Sequence, residues 1–180
     1  EMGGSVPRGA MGQGLSFATS PRGADHQKGL VRQEVFGKPP LVDRFATEGK
    51  AEIVKEVQDE MAFLDAMGVC CLLGRRDVSG PADYAKLFKC LTGIELTEQD
   101  VWMIGERIFN LERLFNQREG FSRKDDTLPE RFLAEPFREG PSAGHTVPLE
   151  QLLDDYYRVR GWDANGSPTE ETLTKLGLEN

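Results

Sequence analysis

The chain is poor in the residues from which disulfide scaffolds and metal sites are built. Its 180 residues include three cysteines and two histidines. Two of the cysteines, Cys70 and Cys71, are neighbours, and adjacent cysteines rarely form a bridge because the geometry is strained. We therefore expect no disulfide framework, and a reducing compartment, the cytoplasm, is the predicted location.

Long apolar runs and an excess of basic residues are also missing. No run approaches the roughly 20 apolar residues that a membrane-spanning helix needs, and no secretory signal is visible, so we expect no membrane association. The 22 lysines and arginines against 30 aspartates and glutamates give a net charge of −8, which disfavours binding to nucleic-acid phosphates. Because the first residue is Glu1 rather than methionine, we expect a fragment or a processed product.

What is present is the composition of a soluble helical domain. Hydrophobic residues make up 38% and charged residues 29% of the chain, which is typical of a globular protein with its own core. No segment alternates as a strand does, so the predicted fold is an all-α, multi-helix single domain over 1–180. We expect short helical turns in the Gly- and Pro-rich range 1–50, three helices in 51–120, a loop that wraps a surface in 121–147, and the C-terminal helices in 148–180.

Apolar residues at helical spacing and terminal signals define the predicted helices. The predicted helices run from Ala51 to Gly68, from Pro81 to Gly93, from the Thr97/Asp100 capping box to about Gly120, from Pro148 to Gly161, and from a second capping box at 167–170 to Gly177. In the first four of these helices, the apolar residues expected to face the core are, in order, Ile53, Val54, Val57, Met61 and Leu64; Tyr84, Leu87, Phe88 and Leu91; Val101, Ile104, Ile108, Leu111 and Phe115; and Leu149, Leu152, Leu153 and Tyr156.

Cys70 is the first candidate for chemistry. A free cysteine most often packs in a core, but Cys70 follows a helix-ending glycine by two residues, where backbone N–H groups can point at a bound group. Iron–sulfur clusters are usually held by four thiolates. Cys70 alone therefore cannot hold a cluster, and it could serve only as a remote ligand beside cysteines from outside this sequence.

His26 lies in a glycine-containing loop between two cations, Arg22 and Lys28. Histidine titrates near neutral pH and suits proton transfer, although a structural or surface histidine is the commoner case. Two cations beside it could bind phosphates, and the alternative is a solvated basic loop.

Asp65 lies near the end of the first long helix, where its charge opposes the helix dipole. It could accept hydrogen bonds from an amino group of a ligand, or it could be an ordinary surface aspartate. Four charged residues of the third helix are interpreted as structural pairs; they are Glu106, Arg107, Glu112 and Arg113. Cys90 is interpreted as a core residue, and His145 as a loop residue without a partner.

Four stretches, taken together and in order, carry a family resemblance. They are PRGAMGQGLSFATSPRGADH (7–26), LDAMGVCC (64–71), LTGIELTEQDVWMIGERIFNLERLFNQREGFSRKDDTLPERFLAEP (91–136) and YYRVRGWDANGSPTEETLTKLGL (156–178). They resemble the C-terminal part of the tungsten-containing aldehyde ferredoxin oxidoreductases, over essentially the whole chain. The resemblance implies the last helical domain of such a subunit, with the N-terminal β domain and the preceding helical domain absent from this sequence.

The resemblance implies cofactors and the residues that meet them. Members bind tungsten, less often molybdenum, between two pterins beside one [4Fe–4S] cluster. The family's Asp-x-x-Gly-(Leu/Val)-Cys motif falls on residues 65–70, which implies Cys70 as the fourth cluster ligand, the other three lying in the absent preceding domain. Asp65 and the backbone of Val69 and Cys71 are implied as pterin contacts.

The family's Arg-Gly-Ala-x-His motif falls on residues 22–26. It implies that Arg22 and Lys28 contact pterin phosphates and that His26 faces the metal as the catalytic proton-transfer residue. Asp25 stands where many members carry cysteine, which leaves the subfamily open.

For the parent protein, the resemblance implies oxidation of a small aldehyde to a carboxylic acid. Ferredoxin would accept the electrons, and the remaining domains of the same subunit would complete the site. One alternative is an aromatic acyl-CoA reductase subunit of the same family, and another is an isolated helical domain without activity. An unrelated helical interaction module would instead place Asp65, Cys70 and His26 far apart.

Overall fold

The computed structural model describes residues 7–72 and 79–179. Within those ranges all regular elements are helical, apart from isolated β-bridges, which confirms the predicted all-α class. The α-helices of the described residues are α1 (Met11–Ala18), α2 (Arg32–Phe36), α3 (Lys50–Ala66), α4 (Pro81–Thr92), α5 (Glu98–Arg118), α6 (Glu130–Ala134), α7 (Leu149–Arg160) and α8 (Glu170–Leu176). Two short 3-10 turns, Pro7–Gly9 and Arg123–Asp125, accompany them.

α3 is the central helix, and it contacts α1, α5 and α7. Its N-terminal part packs into one apolar cluster with α1 and α7, and its C-terminal part packs into a second cluster with α4 and the start of α5. α3 and α5 approach each other closely at Gly105, where an added Cβ would overlap the Asp59 carbonyl oxygen and lie 2.8 Å from its carbonyl carbon. Only glycine allows this backbone approach.

A buried ion pair fixes the N-terminal segment on α3. The carboxylate of Glu34 accepts hydrogen bonds from the N–H groups of Gly12 (3.0 Å) and Gln13 (2.9 Å) at the start of α1. Lys50 Nζ lies 2.7 Å from the same carboxylate and donates to the Asp43 carbonyl at 2.6 Å. Both side chains are almost fully buried, and a carboxylate is favourable at a helix N-terminus. The short helices of range 7–50 are thereby tied to the central helix.

A second buried network joins α7 to α3. Arg160, which is 1% exposed, forms an ion pair with Asp59 and donates to Gln58 Oε1 at 3.0 Å. Its guanidinium lies 4.0 Å from the ring centroid of Phe109 on α5. One arginine therefore holds three helices together through charge and ring contacts.

Several sequence expectations were wrong in detail. The range 121–147 was predicted as loop but contains α6. The last helix is capped by Thr169 rather than by Ser167, because Ser167 Oγ instead accepts a hydrogen bond from Gln117 Nε2 at 2.7 Å. Cys90 was predicted in the core and is exposed.

The apolar stripe of α5 is also only partly buried. Val101 is buried, but Leu111 and Phe115 are each 55% exposed. The face that packs against the core in this half of α5 carries Phe109, Asn110 and Arg113 instead. The exposed part of the stripe lies where α5 borders the candidate site.

Candidate functional site

The loop after α1 carries three of the predicted site residues. Arg22 Nε donates to Asp25 Oδ2 at 2.7 Å, and the other oxygen of Asp25 accepts the Gln27 N–H at 2.7 Å. Burial raises the pKa of Asp25, but these two contacts outweigh it and hold the pKa below its usual range. His26 Nδ1 lies 4.0 Å from the same carboxylate, and the imidazole is one-third exposed. Asp25 is therefore an anion that faces both Arg22 and His26.

The C-terminal end of α3 carries the second group. Val69 N–H donates to the Leu64 carbonyl (3.1 Å) and Gly68 N–H donates to the Asp65 carbonyl (3.0 Å), with Gly68 at φ +68°. This pair of bonds is the Schellman motif that ends a helix at glycine. Val69 packs against the second apolar cluster, as does Cys71. Cys70, between them, is exposed.

Lys28 joins the loop to the end of α3. Its Nζ lies 2.9 Å from Asp65 Oδ2 and 3.1 Å from Glu112 Oε1 on α5. Burial lowers the pKa of Lys28, but the hydrogen bonds and charges of these carboxylates outweigh it and raise the pKa above its ordinary value. Lys28 is therefore a firmly charged cation shared by two anions, in a setting where charge-assisted hydrogen bonds are strong.

A groove of about 480 Å³ opens beside this cation. Its lining residues are Pro21, Arg22, Lys28, Ile108, Leu111, Glu112, Phe115 and Asn116. Part of the lining is apolar, and it includes Leu111 and Phe115, which are each 55% exposed. The rest includes the charged residues Arg22, Lys28 and Glu112. The second oxygen of Glu112, Oε2, is shielded from solvent and has no hydrogen-bond partner.

A second hollow, of about 440 Å³, shares Pro21, Arg22 and Asn116 with this groove. It is bordered by residues 17–24, from the end of α1 into the loop, by residues 125–129, and by Phe109, Arg113, Asn116 and Phe121. Arg113 spans its floor in a two-fold ion pair with Asp126, at 2.7 Å for each bond. The loop that carries Arg22 thus borders both cavities.

The structure brings together Arg22, Lys28 and Asp65, and the Lys28 contacts link both sequence motifs. The thiol of Cys70 stands alone at the surface: within 7–72 and 79–179, no group of three or more His, Cys, Asp or Glu residues could hold a metal ion. His145, predicted without a partner, stacks on Phe45 with ring centroids 3.8 Å apart.

Glu112 is the site residue that the sequence did not reveal. The charged residues of α5 were interpreted as structural pairs within the helix, and three of them do bind protein groups, although on other elements. Arg107 donates to the Leu176 carbonyl at 2.7 Å, and Glu106 lies 3.1 Å from Lys55. The partner of Glu112, Lys28, likewise lies far away, 84 residues along the sequence, so no local pattern could indicate the contact.

Comparison with known proteins identifies the family. The family model described as aldehyde ferredoxin oxidoreductase, domains 2 and 3, matches residues 1–178. The chain belongs to this family. The tungsten-containing aldehyde ferredoxin oxidoreductase of Pyrococcus furiosus is 42% identical over 96% of this chain and 29% of its own length. The helical fold is therefore that of the C-terminal part of the aldehyde ferredoxin oxidoreductases, and the chain spans less than a third of that relative.

Two further similarities show the breadth of the family. The aliphatic sulfonate oxidoreductase, WOR-like subunit, of Pyrococcus furiosus is 31% identical over 91% of this chain and 24% of its own. Among solved structures, the active-site complex BamBC of benzoyl coenzyme A reductase with 1,5-dienoyl-CoA matches with a TM-score of 0.62 and 27% identity. That match covers 78% of this chain and 21% of the other.

None of the helices within residues 7–72 and 79–179 is both long enough and apolar enough to cross a membrane.

Proposed function

We propose that this chain forms one face of the active site of a tungsten–pterin oxidoreductase that oxidises an aldehyde to a carboxylic acid. In that reaction an aldehyde and water give a carboxylate, protons and two electrons, and ferredoxin takes the electrons. The observation that carries the proposal is the Lys28 ion pair with Asp65. It joins the two motifs that the family resemblance assigns to the cofactor, and it does so beside an open groove.

The residues present can supply one ligand of an iron–sulfur cluster. Cys70 is exposed directly after a helix end, and Val69 and Cys71 on either side pack against the apolar cluster. One thiolate is a quarter of the usual donor set. Cys70 would therefore act as one ligand of a [4Fe–4S] cluster whose other cysteines come from the rest of the subunit, in the cytoplasm where thiols stay reduced.

The groove fits a pterin as well. Leu111 and Phe115 line it and are each 55% exposed, so they offer an apolar surface to a ring. The Arg22 side chain is 55% exposed, so its guanidinium retains N–H groups that suit phosphate oxygens. Asp65 is 39% exposed and can accept from an amino group. The tungsten–pterin group, when bound, supplies the redox chemistry, and the protein positions it.

His26 is the residue of this chain that we assign to proton movement. Its imidazole is partly open to solvent, and its Nδ1 lies 4.0 Å from the Asp25 carboxylate. Histidine is the most common general acid–base group, so a side chain in this position can take a proton from water or return one to a product oxygen.

Two alternatives differ in the substrate or in the role of the chain. The BamBC match favours reduction of an aromatic acyl-CoA thioester as the second candidate, because that complex holds a dienoyl-CoA. The third candidate is a helical domain that is silent by itself, since the chain covers 29% of its relative.

Metal analysis of the full-length protein that contains this chain tests the proposal. The protein is purified without oxygen after growth with tungstate, as wild type, Cys70→Ser and Cys71→Ser. We expect wild type to hold tungsten and iron, Cys70→Ser to lose most of its cluster iron and cluster absorbance, and Cys71→Ser to keep both. Equal iron in the two variants would remove Cys70 from the ligand set, and a wild type without tungsten, molybdenum or iron would refute the redox proposal.

Activity assays separate the two substrate classes. Wild-type protein is given a panel of aldehydes with a dye as electron acceptor, and separately an aromatic acyl-CoA with a low-potential donor. Reduction of the dye by aldehydes supports the first proposal, whereas turnover of the thioester alone supports the reductase.

A further inference from the structure

Asn116 of α5 binds the backbone of the loop that carries Arg22 and His26. Its Nδ2 donates to the Pro21 carbonyl at 2.6 Å, across 95 residues of sequence. Because Pro21 directly precedes Arg22, this bond fixes the point from which the loop presents its charged side chains. Asn116, Pro21 and Arg22 border both the groove and the second hollow, so the contact lies within the candidate site.

The bond from Asn116 is the second of two points at which α5 holds this loop. Glu112, one turn earlier on the same helix, accepts a hydrogen bond from Lys28 Nζ at 3.1 Å. Residues four apart lie on the same face of a helix, so one face of α5 binds the loop at Pro21 and again at Lys28. Residues 22–27 therefore span two anchors on a single helix.

Contacts inside the loop connect the position of Pro21 to that of His26. Arg22 Nε donates to Asp25 Oδ2 at 2.7 Å, and His26 Nδ1 lies 4.0 Å from the other oxygen of the same carboxylate. These contacts set the shape of the loop. The bond from Asn116 sets where that shape lies against α5.

We propose that Asn116 is a positioning residue of the candidate site, whose hydrogen bond to the Pro21 carbonyl sets the place of Arg22 and His26 relative to the cofactor. The inference rests on the proposed function, since that function assigns Arg22 to a phosphate and His26 to proton movement. Asn116 acts through the loop backbone and makes no contact with the reacting atoms. A displacement of about 1 Å can slow a reaction about 100-fold, so one hydrogen bond at this point affects turnover more than stability.

The test compares Asn116→Leu with Gln117→Met in the full-length protein that contains this chain. Each replacement keeps the approximate size of the side chain and removes its amide donor. Gln117 is the matched control because its Nε2 donates to the Gly166 carbonyl at 3.1 Å and to Ser167 Oγ at 2.7 Å, and not to the loop. Both variants lose a hydrogen bond from α5 to another segment, so we expect both to melt at a similar, slightly lower temperature than wild type.

Hydrogen–deuterium exchange gives a first readout that does not depend on activity. Backbone N–H groups of residues 20–28 are hydrogen-bonded within the loop. We expect Asn116→Leu to raise exchange in this range about 2- to 10-fold, as the loss of one hydrogen bond predicts. Gln117→Met should raise exchange in 163–168 instead. Exchange in 20–28 that stays at the wild-type rate in Asn116→Leu would overturn the inference.

Steady-state kinetics with an aldehyde and a dye give the second readout. Rates are expressed per bound metal atom and are measured below the melting temperature of both variants, so neither cofactor loss nor unfolding is counted as slower turnover. We expect Asn116→Leu to lower kcat and kcat/KM together, by roughly 10- to 100-fold, and Gln117→Met to match wild type. Asn116→Gln should recover part of the loss, because it keeps the amide donor and borders cavities with room for one more methylene.

The outcomes separate this inference from the proposed function. If wild type oxidises the aldehyde and Asn116→Leu does so equally fast, or if Asn116→Gln is no faster than Asn116→Leu, the positioning role is wrong while the proposed function stands. If wild type neither oxidises an aldehyde nor contains tungsten or molybdenum, the proposed function is wrong, and the inference is wrong with it.

Discussion

The close approach of α3 and α5 can be tested with a single methyl group. Gly105→Ala places a Cβ on the Asp59 carbonyl, 2.8 Å from its carbon and closer still to its oxygen. The obstacle is backbone of the central helix, so no side chain can rotate away, and the two helices must separate. Overpacking of this kind costs about 1–3 kcal/mol, whereas alanine in place of a helical glycine gains about 1 kcal/mol.

Because the clash involves backbone, we expect it to cost about 3 kcal/mol, the top of the range for overpacking. The gain of about 1 kcal/mol from alanine in the helix reduces this to a net loss of stability of about 2 kcal/mol. For a cooperative unit of 150–250 residues this lowers the melting temperature by about 4–8 °C. Calorimetry of the full-length protein measures it, with Gly80→Ala as control, since Gly80 has φ −138° and no atom within 4 Å of an added Cβ. A Gly105→Ala protein that melts at or above wild type would refute the reasoning.

Two further predictions concern buried charge. Arg160→Met removes one of the two cations that pair with buried Asp59, the other being Lys55 at 2.8 Å. It should cost about 3 kcal/mol in denaturant unfolding, the lower end of the range for a broken buried ion pair, whereas Arg158→Met, on the exposed face, should cost less than about 0.5 kcal/mol. Lys28 has a raised pKa, so its ion pairs stabilise the fold fully below its unfolded pKa and are lost as pH rises through the folded pKa. The difference in melting temperature between wild type and Lys28→Met should therefore be largest below about pH 10 and shrink above it; a constant difference would contradict the assignment.

Helix ends were predictable because neighbouring residues determine them. The Thr97 and Asp100 capping box forms with both of its hydrogen bonds, and Gly93, Gly161 and Gly177 end helices in the left-handed conformation. In each case the groups that satisfy the free backbone donors or acceptors lie within one turn of the chain. The position of these helix ends can therefore be predicted from the local sequence alone.

Predictions failed where a distant residue decided the outcome. Ser167 has the local features of a helix cap, but Gln117 donates to its hydroxyl from α5, and Thr169 caps the helix instead. Asn110 also departs from the apolar pattern, yet it is fully buried because Trp162 Nε1 donates to it at 2.7 Å. Such polar partners let a polar face of α5 enter the core, and they turn the apolar stripe partly outward.

The two cations of the loop, Arg22 and Lys28, differ in their partners. The sequence places Arg22 and Lys28 close together and predicts a joint phosphate site, because it shows the charges but not their partners. In the structure Lys28 faces two carboxylates and is 10% exposed, whereas Arg22 faces one carboxylate and is 55% exposed. Electrostatic attraction for a phosphate is therefore concentrated at Arg22, and Lys28 acts chiefly as the link between the loop, α3 and α5. It follows that Arg22→Met should weaken binding of the anionic end of a ligand, while Lys28→Met should disturb the position of Asp65 and Glu112 together.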